Sequence, residues 1–123
     1  MKSVLAILML AAAMLASPAW ADFIDGHRLA KWGQEVRKFR AQAADSGQPQ
    51  HVDWSSTQVA IFMGFVSGVY DASGERGCTP ESLTGREVFD VVIAYLEQHP
   101  KQHHLSGSRL VADSLQQAFP CEG

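Results

Sequence analysis

The side chains of this chain that can do chemistry are two cysteines, Cys78 and Cys121, five histidines and a scatter of carboxylates. Neither cysteine belongs to a C-x-x-C pair, and the residues after them, "TPESL" and "EG", offer no thiolate-stabilising neighbour. A histidine brought close in space would make a Cys/His pair, so a nucleophile remains the alternative to a structural disulfide. His99, His103 and His104 are the only dense cluster of metal-ligand types, but Pro100 breaks the helix that would align His99 with His103. No Cys or carboxylate pair completes a ligand set. The expectation is a turn with exposed imidazoles, and the alternative is a weak transition-metal site or part of an interface. Glu81, Glu87 and Asp90 sit where helix caps and exposed helix faces put carboxylates, Ser67, Ser73 and Ser108 lack a nucleophile elbow, and no glycine loop is placed to cradle phosphate. Elimination leaves a non-catalytic binding protein with no cofactor and no metal.

The elements that must position these residues are preceded by one that is expected to be removed. "MKSVLAILMLAAAMLASPAWA" has a basic Lys2, an apolar run from Val4 to Leu15, a breaker at Ser17-Pro18 and an A-x-A box ending at Ala21. It reads as a cleaved bacterial export signal, because the apolar run is short of the ~20 residues a membrane span needs. Residues 22–123 are then one periplasmic domain with no membrane anchor. In an oxidising compartment Cys78 and Cys121 are most simply one disulfide, whose loop closure is worth roughly 4 kcal/mol.

The formal net charge of −3 argues against a nucleic-acid partner. Arg28, Lys31, Arg37, Lys38 and Arg40 form a basic run broken only by Glu35. Such a run is usually the solvated face of a helix and less often a docking patch for an acidic partner or an anionic envelope polymer.

Four helices are predicted. Leu29, Trp32, Val36, Phe39 and Ala43 recur at three and four over about 25–44. The segment 55–72, capped by Asp53 or Ser55, is apolar nearly all round in "VAIFMGFVSGVY", so it is expected to be buried, with Gly64 and Gly68 forming a groove for close helix packing. Thr84 and Glu87 make a capping box for "GREVFDVVIAYLEQH", and Leu110, Val111, Leu115 and Phe119 share a face of a last helix stopped by Pro120. The fold class is all-α, a small bundle of about four helices with one disulfide, centred on the second and third helices.

"CTPESLTGREVFDVVIAYLEQHP" followed by "LSGSRLVADSLQQAFPC" resembles the second half of the Rap/Tai immunity family, exported proteins that protect bacteria from type VI secreted peptidoglycan amidases. The resemblance rests on Cys78, Pro80, Thr84, Val91, Val92, Tyr95, Leu96, His99, Pro100, Ala118, Phe119, Pro120 and Cys121, and more loosely on Asp25-Gly26, Leu29, Gly64, Gly68 and Asp71. It implies a periplasmic all-α protein, often a homodimer, that occupies the cleft of an NlpC/P60-like cysteine amidase. Family members often carry a second disulfide between the first two helices, and Gly33 and Phe62 stand at the corresponding positions here. That absence implies a looser pairing of those helices, offset in part by burial of Phe62.

Tight inhibition needs an anchored plug, and polar loops on rigid helix ends are the candidates. They are "DASGERG", with Asp71, Ser73, Glu75 and Arg76, and "HPKQHH", with His99, His103 and His104. A different class remains as the alternative: a general envelope-stress or chaperone-like helical protein whose histidines gain charge as pH falls.

Overall fold

The structure is a computed structural model that describes residues 23–47, 57–73 and 78–121. Among the described residues the elements are α1 (Gly26–Asp45), α2 (Thr57–Ser73), α3 (Gly85–Gln98), a 3-10 turn at Pro100–Gln102 and α4 (Gly107–Ala118). No strand occurs among them, and Cys78 is bonded to Cys121 across a separation of 43 residues. The fold is the all-α bundle with one disulfide that the periodicities predict. The export segment, the caps Asp53 and Ser55, and the site candidates Glu75 and Arg76 lie outside the described residues.

Helices α1, α3 and α4 each start where a side chain takes a free backbone N–H group. The Asp25 carboxylate accepts from Arg28 N at 2.9 Å, and the Ser106 hydroxyl accepts from Arg109 N at 3.3 Å. Thr84 and Glu87 complete the capping box in both directions. After α1, Gly47 takes φ +63°, a left-handed conformation that a residue with a Cβ would resist.

The starts of α1 and α4 are also tied to each other. Asp25 and Ser106 pair in an isolated antiparallel bridge, in which Gly26 N donates to Leu105 O at 2.9 Å and Gly107 N donates to Ile24 O at 2.8 Å. Both glycines are needed for this approach. A Cβ on Gly26 would fall 2.7 Å from the Cα and carbonyl oxygen of His103, and one on Gly107 would fall 2.9 Å from Ile24 O.

The core is built around α3, which buries Val88, Phe89, Val92, Ile93, Tyr95 and Leu96. Leu29 and Val36 of α1, Val59, Phe62 and Val66 of α2, and Leu110, Val111 and Leu115 of α4 close over it. The expectation that α2 is buried all round does not hold. Its buried positions recur at three and four on one side, while Ile61 is 40% exposed and Gly64 and Gly68 are exposed with nothing within 4 Å of where a Cβ would stand. The groove therefore faces outward: α2 is a lateral helix, and α3 alone is central.

Gly33 and Phe62 face one another between α1 and α2. A Cβ on Gly33 would stand 3.4 Å from Phe62 Cε2, and the Phe62 ring is fully buried and edge-on to Phe89 at 6.2 Å. The ring occupies the space beside the missing side chain, so apolar packing joins the helices at these positions.

Candidate interaction site

The carboxy-terminal ends of α2 and α4 converge on the disulfide. Cys78 and Cys121 form part of the wall of a cavity of about 350 Å³, with Tyr70 and Ser73 from α2, Thr79 from the following segment, Gln116 from α4 and Phe119 from its C-cap. Tyr70 and Thr79 share a hydrogen bond at 3.3 Å that ties the end of α2 to the segment after Cys78. The Ser73 hydroxyl donates to Val69 O at 2.7 Å and so closes the last turn of its own helix. Asp71 is exposed on that turn. Among the described residues no charged side chain lines this cavity. Joined to each other, the two sulfurs are not nucleophiles, which removes the Cys/His alternative.

The histidines lie at the opposite end of α3. Its 14 residues put about 20 Å between the two ends at 1.5 Å per residue. There the expectation of exposed imidazoles fails for two of the three. His99 and His103 are half-buried, and only His104 is exposed. The His99 ring stacks on Tyr95 at 4.0 Å and its Nδ1 donates to Tyr95 O at 2.8 Å. His103 Nε2 donates to Leu96 O at 2.7 Å, and its own carbonyl accepts from His27 N at 3.0 Å. Leu96 O has no helical donor, because the residue four positions on is Pro100, and the His103 imidazole satisfies it; Tyr95 O already accepts from His99 N at 3.1 Å, and the His99 ring adds a second bond. His104 Nδ1 donates to Lys101 O at 3.0 Å within the turn. No group of three or more His, Cys, Asp and Glu is placed to hold a metal ion among the described residues.

The basic run is largely spent inside the molecule. Arg37 is bidentate to Glu97 at 2.5 and 2.8 Å, Arg40 is paired with Asp90, and Lys38 reaches Glu35 at 2.8 Å. Arg28 donates to Phe23 O at 3.0 Å. Two of these pairs bridge α1 to α3, so the run serves helix docking on a solvated face.

Among the described residues two titrations depart from their ordinary range. The Thr84 hydroxyl and backbone N–H hold the Glu87 carboxyl below the usual glutamate range. Burial, and next to it the charge of Asp113, push the Tyr95 phenol up, against its hydrogen bond to Gln102 at 2.9 Å.

The sequence reading did not find the cavity-lining residues Tyr70, Thr79 and Gln116, because nothing in their local pattern marks them. It also missed the paired helix starts, although a signal exists. "DGHRL" at 25–29 and "SGSRL" at 106–110 repeat cap, glycine, any residue, arginine, leucine. Leu29 and Leu110 are both buried. One family model, described as Rap1a immunity proteins, matches residues 26–121. No curated protein matches the chain, and no solved structure does.

Proposed function

The chain belongs to the Rap1a immunity protein family, and on that premise we propose that it is exported to the periplasm, where it binds and neutralises a peptidoglycan-cleaving amidase delivered by a type VI secretion system. The observation that carries the reading is the family match over residues 26–121, nearly all of the chain beyond the expected export segment. Two further features support it. The amino-terminal 21 residues have the pattern of a cleaved export signal. The disulfide suits an oxidising compartment and braces the end of the bundle where the polar candidates Asp71 and Ser73 stand.

The antidote needs no chemistry of its own, only a rigid surface that fills the amidase cleft. Of the two loop candidates, the segment at the disulfide is favoured. The imidazoles of His99 and His103 are already bonded to backbone carbonyls of α3, and moving His103 away would leave Leu96 O, four residues before Pro100, without a donor. At the disulfide end Asp71 is exposed and the cavity beside it is open to a partner. The reading includes pairing with a second copy of the chain, for which the outer face of α2 around Ile61, Gly64 and Gly68 is an uncharged surface.

The test is to mix the purified chain, without residues 1–21, with the wall amidase encoded beside its gene and to follow peptidoglycan hydrolysis. Stoichiometric loss of hydrolysis with a stable complex on size exclusion is the expected result. Full hydrolysis, and no binding to any wall hydrolase of the same genome, would overturn the proposal.

A further inference from the structure

The Cys78–Cys121 bond is at the surface. Both residues are exposed, and they form part of the wall of the cavity between α2 and α4. What the bond joins is peripheral to the core. Cys121 stands just beyond the end of α4 at Ala118, and Cys78 stands in the segment that leads to α3 at Gly85. None of the buried core residues lies in either flank; the nearest apolar side chains, Leu83 and Phe119, are only partly buried. Among the described residues, the polar ties of the segment after Cys78 are the Tyr70–Thr79 hydrogen bond at 3.3 Å and a turn in which Leu83 N donates to Pro80 O at 3.1 Å. A surface disulfide is open to attack by a thiolate without prior unfolding, and exposed disulfides are the labile and regulatory ones.

We propose that Cys78–Cys121 is a redox-accessible clamp on this cavity. A dithiol reductant opens the bond in the folded protein, detaches the end of α4 from the segment before α3, and so weakens the hold on the effector while the four-helix core persists. The reductant's thiolate attacks one sulfur and releases the other as a thiolate, leaving a mixed disulfide. The second thiol of the reductant then closes on that bond. Two electrons and two protons pass from the dithiol to the protein, which ends with two cysteine thiols, and the reductant leaves as its own disulfide. The link to effector binding rests on the reading above that this end of the molecule meets the amidase.

The experiment treats the chain without residues 1–21 with dithiothreitol in native buffer, quenches with iodoacetamide, counts alkylated cysteines by mass, and records far-ultraviolet dichroism. The amidase from the inhibition test is then titrated with the oxidised form, the reduced and alkylated form, and the Cys78→Ser/Cys121→Ser double variant. The clamp predicts a reduction rate that stays level as denaturant is raised below the unfolding midpoint. It also predicts retained helical signal and an affinity lower by about tenfold or more in both reduced-like forms. A reduction rate that climbs with the unfolded fraction overturns it. So does loss of helical signal on reduction, or equal affinity of all three forms. If the oxidised chain binds no amidase, the proposed function fails instead, and the rate and dichroism results still decide whether the bond opens in the folded state.

Discussion

Asp25 and Ser106 face each other in a single antiparallel bridge, and each is the N-cap of its own helix. The cap side chains serve their own helices, and the residues beside them exchange Gly26 N to Leu105 O and Gly107 N to Ile24 O across the gap. One short contact therefore satisfies donors at two helix starts and joins two segments far apart in sequence. It leaves no room for a side chain at either glycine.

Gly26→Ala is expected to destabilise the protein by about 2 to 3 kcal/mol, because its Cβ would overlap the backbone of His103, which cannot rotate away. Gly68→Ala provides the contrast. With nothing within 4 Å of its Cβ position, it is expected to stabilise α2 by about 0.5 to 1 kcal/mol through helix propensity. Urea unfolding of both variants checks the pair, and equal effects would contradict the packing described.

Phe62→Ala is expected to cost about 3 to 5 kcal/mol, since the ring is fully buried against Phe89 and beside Gly33. The same variant is expected to loosen α1 against α2 first. Hydrogen exchange of amides on α1, compared with those at the centre of α3, reads that order.

The capping box makes stability depend on pH in the acid range. The Glu87 carboxyl titrates lower in the folded than in the unfolded chain, so its contribution is present above the ordinary glutamate range and is lost as pH falls through the folded value. Glu87→Gln is therefore expected to have a lower thermal midpoint than the parent at pH 7. That difference should shrink steadily as pH is lowered through 4. A constant difference across the range would refute the assignment.

Tyr95 acts in the opposite direction. Burial raises its phenol, so the neutral form favours the folded chain, and that contribution is present below the ordinary tyrosine value and is lost as pH rises through the folded one. Tyr95→Phe is expected to cost about 1 kcal/mol at neutral pH through the lost bond to Gln102, and to flatten the alkaline decline. Unfolding curves between pH 8 and 11, with phenolate absorbance followed in parallel, test both statements.

What the sequence determined by itself is what depends on near neighbours along the chain. Thr84 with Glu87 announced the start of α3, the spacing of Leu110, Val111 and Leu115 showed which side of α4 is buried, and two cysteines left each other as partners. Caps and helix stripes are satisfied within one or two turns, so their residue types can be read locally. Tertiary structure decided what depends on distant surfaces. The apolar composition of α2 could not say which of its sides lacks a neighbour, and only the packing shows that Gly64 and Gly68 face outward. His99 and His103 looked like free imidazoles until the end of α3 presented them with carbonyls. The basic run read as the solvated face of a helix, and only the packing shows that α3 brings Glu97 and Asp90 against it. In each case the deciding partner lies on another element or in the next turn of chain, and side-chain chemistry takes its role from the group that three-dimensional packing sets beside it.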